Sequence, residues 1–376
     1  MTNPFVFARP LGAEPVVPRP VELTTLIDHY ETGVNARLSS PRDYGKTSLL
    51  NQVCAEVNRT GGGAVLVDLY GATTGAQMAA QIDRAYGALP RGGLLRAADA
   101  VRRRGGGAGL STPAGGGSVT VGGEGSGETL LLDALSLPAR IHEKTGVRLL
   151  VAFDEFQVVL RAELDGLIRS VIQHHGDGVT YVFCGSHPGM MRELFSNRGR
   201  PFYGQATPVE LGRLEREALA DHIAELFERT GKDAGLGLRP LLDLVDGHPQ
   251  RAMLMAHLLW AEVEPGGEAD EECWNRAFAA AWPYLQEKYE AAWDESTRIE
   301  AGVLEALAAG EQSLTGKRAR AEFGLPRGSA APDAAKRLLD DGVLIRGGEG
   351  GLHIDDPLFA TWIAAGRRWP AGEDLT

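Results

Sequence analysis

The segment Ser40-Pro41-Arg42-Asp43-Tyr44-Gly45-Lys46-Thr47 lies between a strand-like run, 35–39, and a helix-like run, 46–58, and it closes in Gly-Lys-Thr. Strand, loop and helix in that order form a phosphate-binding loop. Successive backbone N–H groups of such a loop face one concavity, and the helix that follows adds the positive end of its dipole. Gly45 lets the backbone approach the phosphates, which a bulkier residue would block. Lys46 reaches the β- and γ-phosphates and Thr47 ligates Mg²⁺. Ser40, Pro41, Arg42, Asp43, Tyr44, Gly45, Lys46, Thr47 and Ser48 are therefore the expected phosphate-binding residues, with Ser40 standing where the pattern has its first Gly.

The flanking pattern supplies the sheet that such a loop requires. Residues 64–69 (AVLVDL), 147–153 (VRLLVAF) and 179–184 (VTYVFC) are apolar runs of strand length, as expected of parallel strands buried on both faces. Helical spacing occupies 21–30, 46–58, 76–89 and 129–145, so strands and helices alternate and predict a parallel sheet covered on both sides. Residues 103–128, rich in Gly with Ser, Thr and Ala and preceded by Arg102, Arg103 and Arg104, read as a flexible insertion; a Gly-rich ligand loop is the alternative.

Beyond residue 211 strand-like runs become rare, and 213–230, 238–245, 249–263 and 270–293 read as helices of a lid. Three shorter helices, 296–309, 315–323 and 332–341, then precede a hairpin around Gly-Gly-Glu-Gly, the layout of a winged helix-turn-helix. The expected division is an α/β phosphate-loop domain over 1–210, a helical lid over 211–293 and a winged-helix domain over 294–376. A chain of 376 residues is long enough for several cores.

Asp154-Glu155 follows the strand 147–153 at its C-terminal end, the edge where open α/β sheets bind ligands. Asp154 would hold Mg²⁺ through water alongside Thr47, and Glu155 would polarise the water that attacks the γ-phosphate. The other account of this pair is two acidic residues that end a strand and cap the next helix. Ser186 and His187 end the next strand, where either can sense the γ-phosphate or simply form a turn. His248 before Pro249 either touches phosphate or ribose from the lid or caps its own helix toward solvent. Arg19, Arg42 and Arg251 are the arginines expected near the nucleotide, although arginine more often faces solvent.

Composition excludes other classes. A net charge of −12 disfavours indiscriminate nucleic-acid binding. No run is long and apolar enough for a membrane span, the first residues lack the pattern of a secretory signal, and Cys54, Cys184 and Cys273 are too dispersed for metal or disulfide frameworks. A cytoplasmic protein with inert buried thiols is expected.

Seven segments occur in a telling order: Pro18 to Leu23, Gly45 to Leu50, Phe153-Asp154-Glu155-Phe156-Gln157, Gly185-Ser186, Pro201-Phe202-Tyr203-Gly204, Gly247-His248-Pro249 and Asp356-Pro357-Leu358-Phe359. In this the chain resembles the archaeal-type ATPases, within the STAND branch of the AAA-like P-loop NTPases, over nearly its whole length except the Gly-rich insertion. Pro20 stands where that family has Glu or Arg. The resemblance implies that the segment around Arg19 lies by the adenine, that His248 and Pro249 contact nucleotide, and that a winged helix ends the chain. The expected function is an ATP- and Mg²⁺-dependent switch with slow hydrolysis, carried by Lys46, Glu155 and Ser186, whose winged helix meets a protein partner. A charge-stabilising arginine is not identifiable, so self-association into a homo-oligomer is expected to supply one. The alternatives are an initiator-like ATPase whose basic residues Lys317, Arg318, Arg320, Arg327, Lys336 and Arg337 grip DNA, and a nucleotide-bound scaffold without hydrolysis.

Overall fold

Side chains alternate between two apolar layers along each central strand, which is why these short runs form a sheet covered on both faces. In the computed structural model, which describes residues 2–7, 17–89, 100, 126–347 and 350–370, the strands are β1 (Ala36–Ser39), β2 (Gly63–Asp68), β3 (Leu149–Asp154), β4 (Val179–Gly185) and β5 (Thr207–Glu210). They pair in parallel in the order β2-β3-β4-β1-β5. Leu149, Val151 and Phe153 of β3 and Tyr181 and Phe183 of β4 face one layer, with helices Gly75–Gly87, Gly127–Thr145, Asp165–Ile172 and Pro188–Ser196. Leu150, Ala152, Val182 and Cys184 face the other, with helices Pro20–Thr32 and Lys46–Arg59. Each large apolar side chain so buried contributes about 1.5–3 kcal/mol.

The sequence pattern does not announce β5. Its residues Thr-Pro-Val-Glu are mostly exposed and pair with β1 alone, and an edge strand tolerates a proline that a central strand would not. The Gly-rich insertion expected over 103–128 lies outside the described residues except at its end. There Ser126 caps the helix Gly127–Thr145 by accepting the Thr129 N–H at 3.4 Å, so Gly127 and Glu128 are helical and not part of the insertion. A Cβ on Gly75 would sit 2.8 Å from the Gly127 carbonyl oxygen, so two helices meet through their glycines.

From residue 216 the described chain is mainly helical: Arg216–Arg229, Leu238–Val245, Pro249–Glu262 and Glu271–Asp294. Helices Arg298–Ala308, Lys317–Glu322 and Ala330–Asp340 follow, then an antiparallel ribbon of β6 (Leu344–Arg346) and β7 (Leu352–Ile354), and helix Pro357–Ala364. Buried side chains from Leu214 to Ile363 form one cluster, which also takes in Phe5 and Val17. Residues 2–7 pack on this helical part, with the Phe5 ring centroid 5.3 Å from that of Phe227. Among the described residues no helix is long and apolar enough to cross a membrane, and Cys54, Cys184 and Cys273 are free thiols.

Candidate functional site

The loop between β1 and helix Lys46–Arg59 turns on two left-handed residues, Asp43 at φ 68° and Gly45 at φ 79°. Alternating backbone handedness gathers N–H groups into a concavity. Gly45 occupies the N-cap without a side-chain hydrogen bond, and no acidic residue lies in the helix's first turn. The positive end of the helix dipole there favours an anion. Lys46, buried, folds back across the loop: its Nζ donates to the Ser40 carbonyl at 2.9 Å and to the Pro41 carbonyl. Burial lowers its pKa, and Cys184, Asp154 and Glu155 oppose that.

β4 separates β1 from β3, yet the site bridges it. Thr47 Oγ1 donates to Asp154 Oδ2 at 2.6 Å, and the Glu155 N–H donates to Asp154 Oδ1 at 3.0 Å. Glu155 takes φ 55°, a left-handed backbone that costs a non-glycine residue about 1–2 kcal/mol and turns the chain sharply off the strand. Phe156 anchors that turn, its N–H donating to the Cys184 carbonyl at 2.8 Å and its ring centroid lying 4.6 Å from that of Phe183. Ser186, at the end of β4, donates from Oγ to Glu155 Oε2 at 2.8 Å. Burial, with Arg42 and Arg161 nearby, pushes the His187 pKa down.

These groups surround a cavity of about 420 Å³. Arg42, Asp43, Tyr44, Gly45, Lys46, Thr47, Ser48, Glu155 and Ser186 supply polar lining. Val6, Phe7, Val17, Leu214 and Met253 supply apolar lining, and Arg19, His222 and Pro249 also reach it. Ser40 and Pro41 stand behind Lys46 as its acceptors, and Asp154 lies under Thr47. Arg19 is committed to Glu22 Oε1 at 3.1 Å and to the Gly212 carbonyl at 2.8 Å, so it staples the cavity wall. The apolar residues come from elements far apart in sequence, and no local pattern marks them.

Two expectations change. His248 does not line the cavity and does not face solvent: it is buried, its ring centroid 5.4 Å from that of Tyr44, its Nε2 3.9 Å from Asp355 Oδ2, and its Nδ1 accepts the Arg251 N–H at 3.4 Å. Arg251 is likewise buried, forked onto Asp356. Both residues are drawn to the acidic pair Asp355-Asp356 because a buried carboxylate demands partners. The same pair reaches the phosphate loop, where Tyr44 Oη donates to Asp355 Oδ1 at 2.6 Å.

Burial raises the Asp355 pKa from 3.8 to about 6, although Tyr44 and Arg213 oppose it and Asp356 and Asp43 add to it. Burial lowers His248 from 6.5 to about 4, against the attraction of Asp356 and with Arg251 and Arg213 adding to it. Below pH 6 the folded state binds the extra proton on Asp355, so that group adds stability as pH falls toward 3.8; His248 loses stability between 6.5 and 4, because the unfolded chain binds its proton. The two nearly offset each other. In Asp355→Asn only the histidine contribution remains, so wild type should gain up to roughly 3 kcal/mol on the variant between pH 7 and pH 4. Denaturant melts across that range check this; a gap that does not change with pH refutes it.

No protein-family model matches the chain, and no curated protein matches it in sequence. Among solved structures, a Walker-type ATPase of Pyrococcus abyssi superposes with a TM-score of 0.70 at 17% identity, over 95% of this chain and 98% of that one. The ORC2 protein of Aeropyrum pernix, in ADPNP-ADP complexes, gives 0.58 at 17% identity over 99% and 98%. Its ADP form gives 0.52 at 16% identity over 97% and 95%. Similarity at this level establishes a shared fold, and on that level the resemblance read from the motifs is borne out.

Proposed function

We propose that this chain, which has the fold of an AAA-like P-loop ATPase, binds ATP with Mg²⁺ and hydrolyses it slowly as a nucleotide-dependent switch. The observation that carries the reading is the 2.6 Å contact between Thr47 Oγ1 and Asp154 Oδ2, made across an intervening strand and beside Lys46 and Glu155. A hydroxyl and a carboxylate are hard oxygen donors, and Mg²⁺ is commonly held by one or two protein oxygens plus phosphate oxygens, so the residues present fit that ion. Thr47 and Asp154 would hold it, and it would neutralise charge on the phosphates. Glu155 would take a proton from water, Ser186, whose hydroxyl donates to Glu155 Oε2 at 2.8 Å, would help hold that carboxylate, and the apolar lining around Phe7 and Met253 suits a purine base.

Slow turnover follows from the arginines. Arg19 is committed to Glu22 and Gly212, and Arg251 to Asp356, so neither is free to meet the developing charge, and Arg42 or a second copy of the chain would supply that cation. The output is read by the lid and the C-terminal segment. Asp355 holds Tyr44, Lys288 Nζ lies 3.7 Å from Asp43 Oδ2, and a Cβ on Gly342 would lie 3.5 Å from Pro41 Cβ. Nucleotide that reshapes the loop must therefore favour or disfavour this docking.

We assign 1–210 to the ATPase domain, 211–293 to a lid and 294–376 to a winged helix that meets a protein partner. A grip on DNA is less supported, because Arg318 pairs with Glu322 at 2.9 Å and Arg337 with Glu300 at 3.1 Å. The test is retained nucleotide and phosphate release by wild type and Lys46→Ala. Wild type should retain nucleotide and release phosphate, and the variant should do neither; identical background values in both would end the reading.

A further inference from the structure

Gln157 lies two residues beyond Glu155 on the turn that Phe156 anchors, and only 3% of its surface is exposed. Its Nε2 donates to Glu155 Oε2, the oxygen that also accepts from Ser186 Oγ at 2.8 Å, and lies 3.2 Å from His187 Nδ1 and 3.4 Å from Ser186 Oγ. Two donors from different strand ends thus converge on one carboxylate oxygen. The other, Oε1, is the one left to accept a proton from water.

We propose that Gln157 is a positioning residue that aims Glu155 at the water attacking the γ-phosphate, an inference that rests on the ATPase reading of the site. Packing alone does not account for an amide here. Its carbonyl Oε1 is buried without a hydrogen-bond partner, a cost that an apolar side chain of the same length would avoid. The opposite amide orientation would set that carbonyl against the Glu155 carboxylate, so the carboxylate itself fixes which end faces it. The end of β4 is cut to admit this side chain: a Cβ on Gly185 would lie 2.6 Å from Gln157 Oε1 and would collide with Met191 Sδ. Glu155 needs such restraint, because its left-handed backbone projects it from a turn rather than from the strand.

The test uses the full chain and Gln157→Met, Gln157→Asn, Glu155→Gln and the double variant Gln157→Met/Glu155→Gln. Methionine keeps the length and loses the donor, whereas asparagine keeps an amide that no longer reaches. Both single variants at Gln157 should lower kcat about tenfold or more, the size expected for one hydrogen bond to a charged group, with KM and the affinity for a fluorescent ATP analogue within about twofold of wild type. In the Glu155→Gln background the methionine should change residual turnover by less than about twofold, because the carboxylate it aims is gone. Unchanged kcat in either folded variant, an equal loss in the Glu155→Gln background, or a parallel loss of nucleotide affinity each overturns the proposal. Absence of nucleotide binding and turnover in wild type instead overturns the ATPase reading, and the role of Gln157 with it.

Discussion

Glu155→Gln should hold ATP as wild type does and release phosphate about 10²–10⁴-fold more slowly, the range by which a positioned general base accelerates proton transfer. The replacement is isosteric, and its amide oxygen can still accept the Ser186 hydroxyl that now meets Oε2 at 2.8 Å. What it cannot do is take a proton. Lys46, Thr47 and Asp154 are untouched by the change, so the phosphate cradle and the Thr47–Asp154 contact at 2.6 Å persist. Single-turnover phosphate release and nucleotide retained through gel filtration separate the two effects. Turnover within a few-fold of wild type would remove Glu155 from the chemistry.

Arg251→Ala should cost about 3–5 kcal/mol of folding stability, the loss that follows when one partner of a buried ion pair is removed. Arg251 is 3% exposed, and its Nε lies 2.9 Å from each Asp356 oxygen. Burial by itself raises the Asp356 pKa, and Arg251 outweighs it, holding the carboxylate well below the ordinary range. Asp356 also accepts from Tyr289 Oη at 2.9 Å and caps helix Pro357–Ala364 through the Leu358 N–H at 3.2 Å. Without the guanidinium that carboxylate is stranded beside Asp355. Urea titration at neutral pH measures the loss, and Arg251→Met with Asp356→Asn should recover part of it, since no charge is then left unpaired. A cost below about 1 kcal/mol would mean that the pair behaves as an exposed one.

Much of the site was legible because its parts are local. The phosphate loop, its helix and the acidic pair ending β3 are each written within a few consecutive residues, and the apolar runs behind β2, β3 and β4 follow directly from burial on two faces. The pair at Asp154 and Glu155 could be put at the C-terminal end of β3 without any knowledge of which strand lies between it and the loop. Gln157 could have been noticed as a polar residue next to that pair inside an apolar turn, since a buried amide needs a reason. β5 could not, because a four-residue edge strand with a proline has no apolar signature and exists only through its pairing with β1.

Residue order alone determined where the left-handed loop between β1 and its helix would lie and which strand end would carry the acids, because those properties depend on backbone handedness and alternation within one segment. Only the tertiary structure decided that Val6, Phe7, Leu214 and Met253 close one cavity, and that His248 turns from it toward Asp355 and Arg251 toward Asp356 while Pro249 stays in its wall. Arg251 and Asp356 are 105 positions apart, and nothing local tells an arginine whether its nearest anion will be a phosphate or a buried carboxylate. That choice rests on which desolvated charge the packed chain brings within reach.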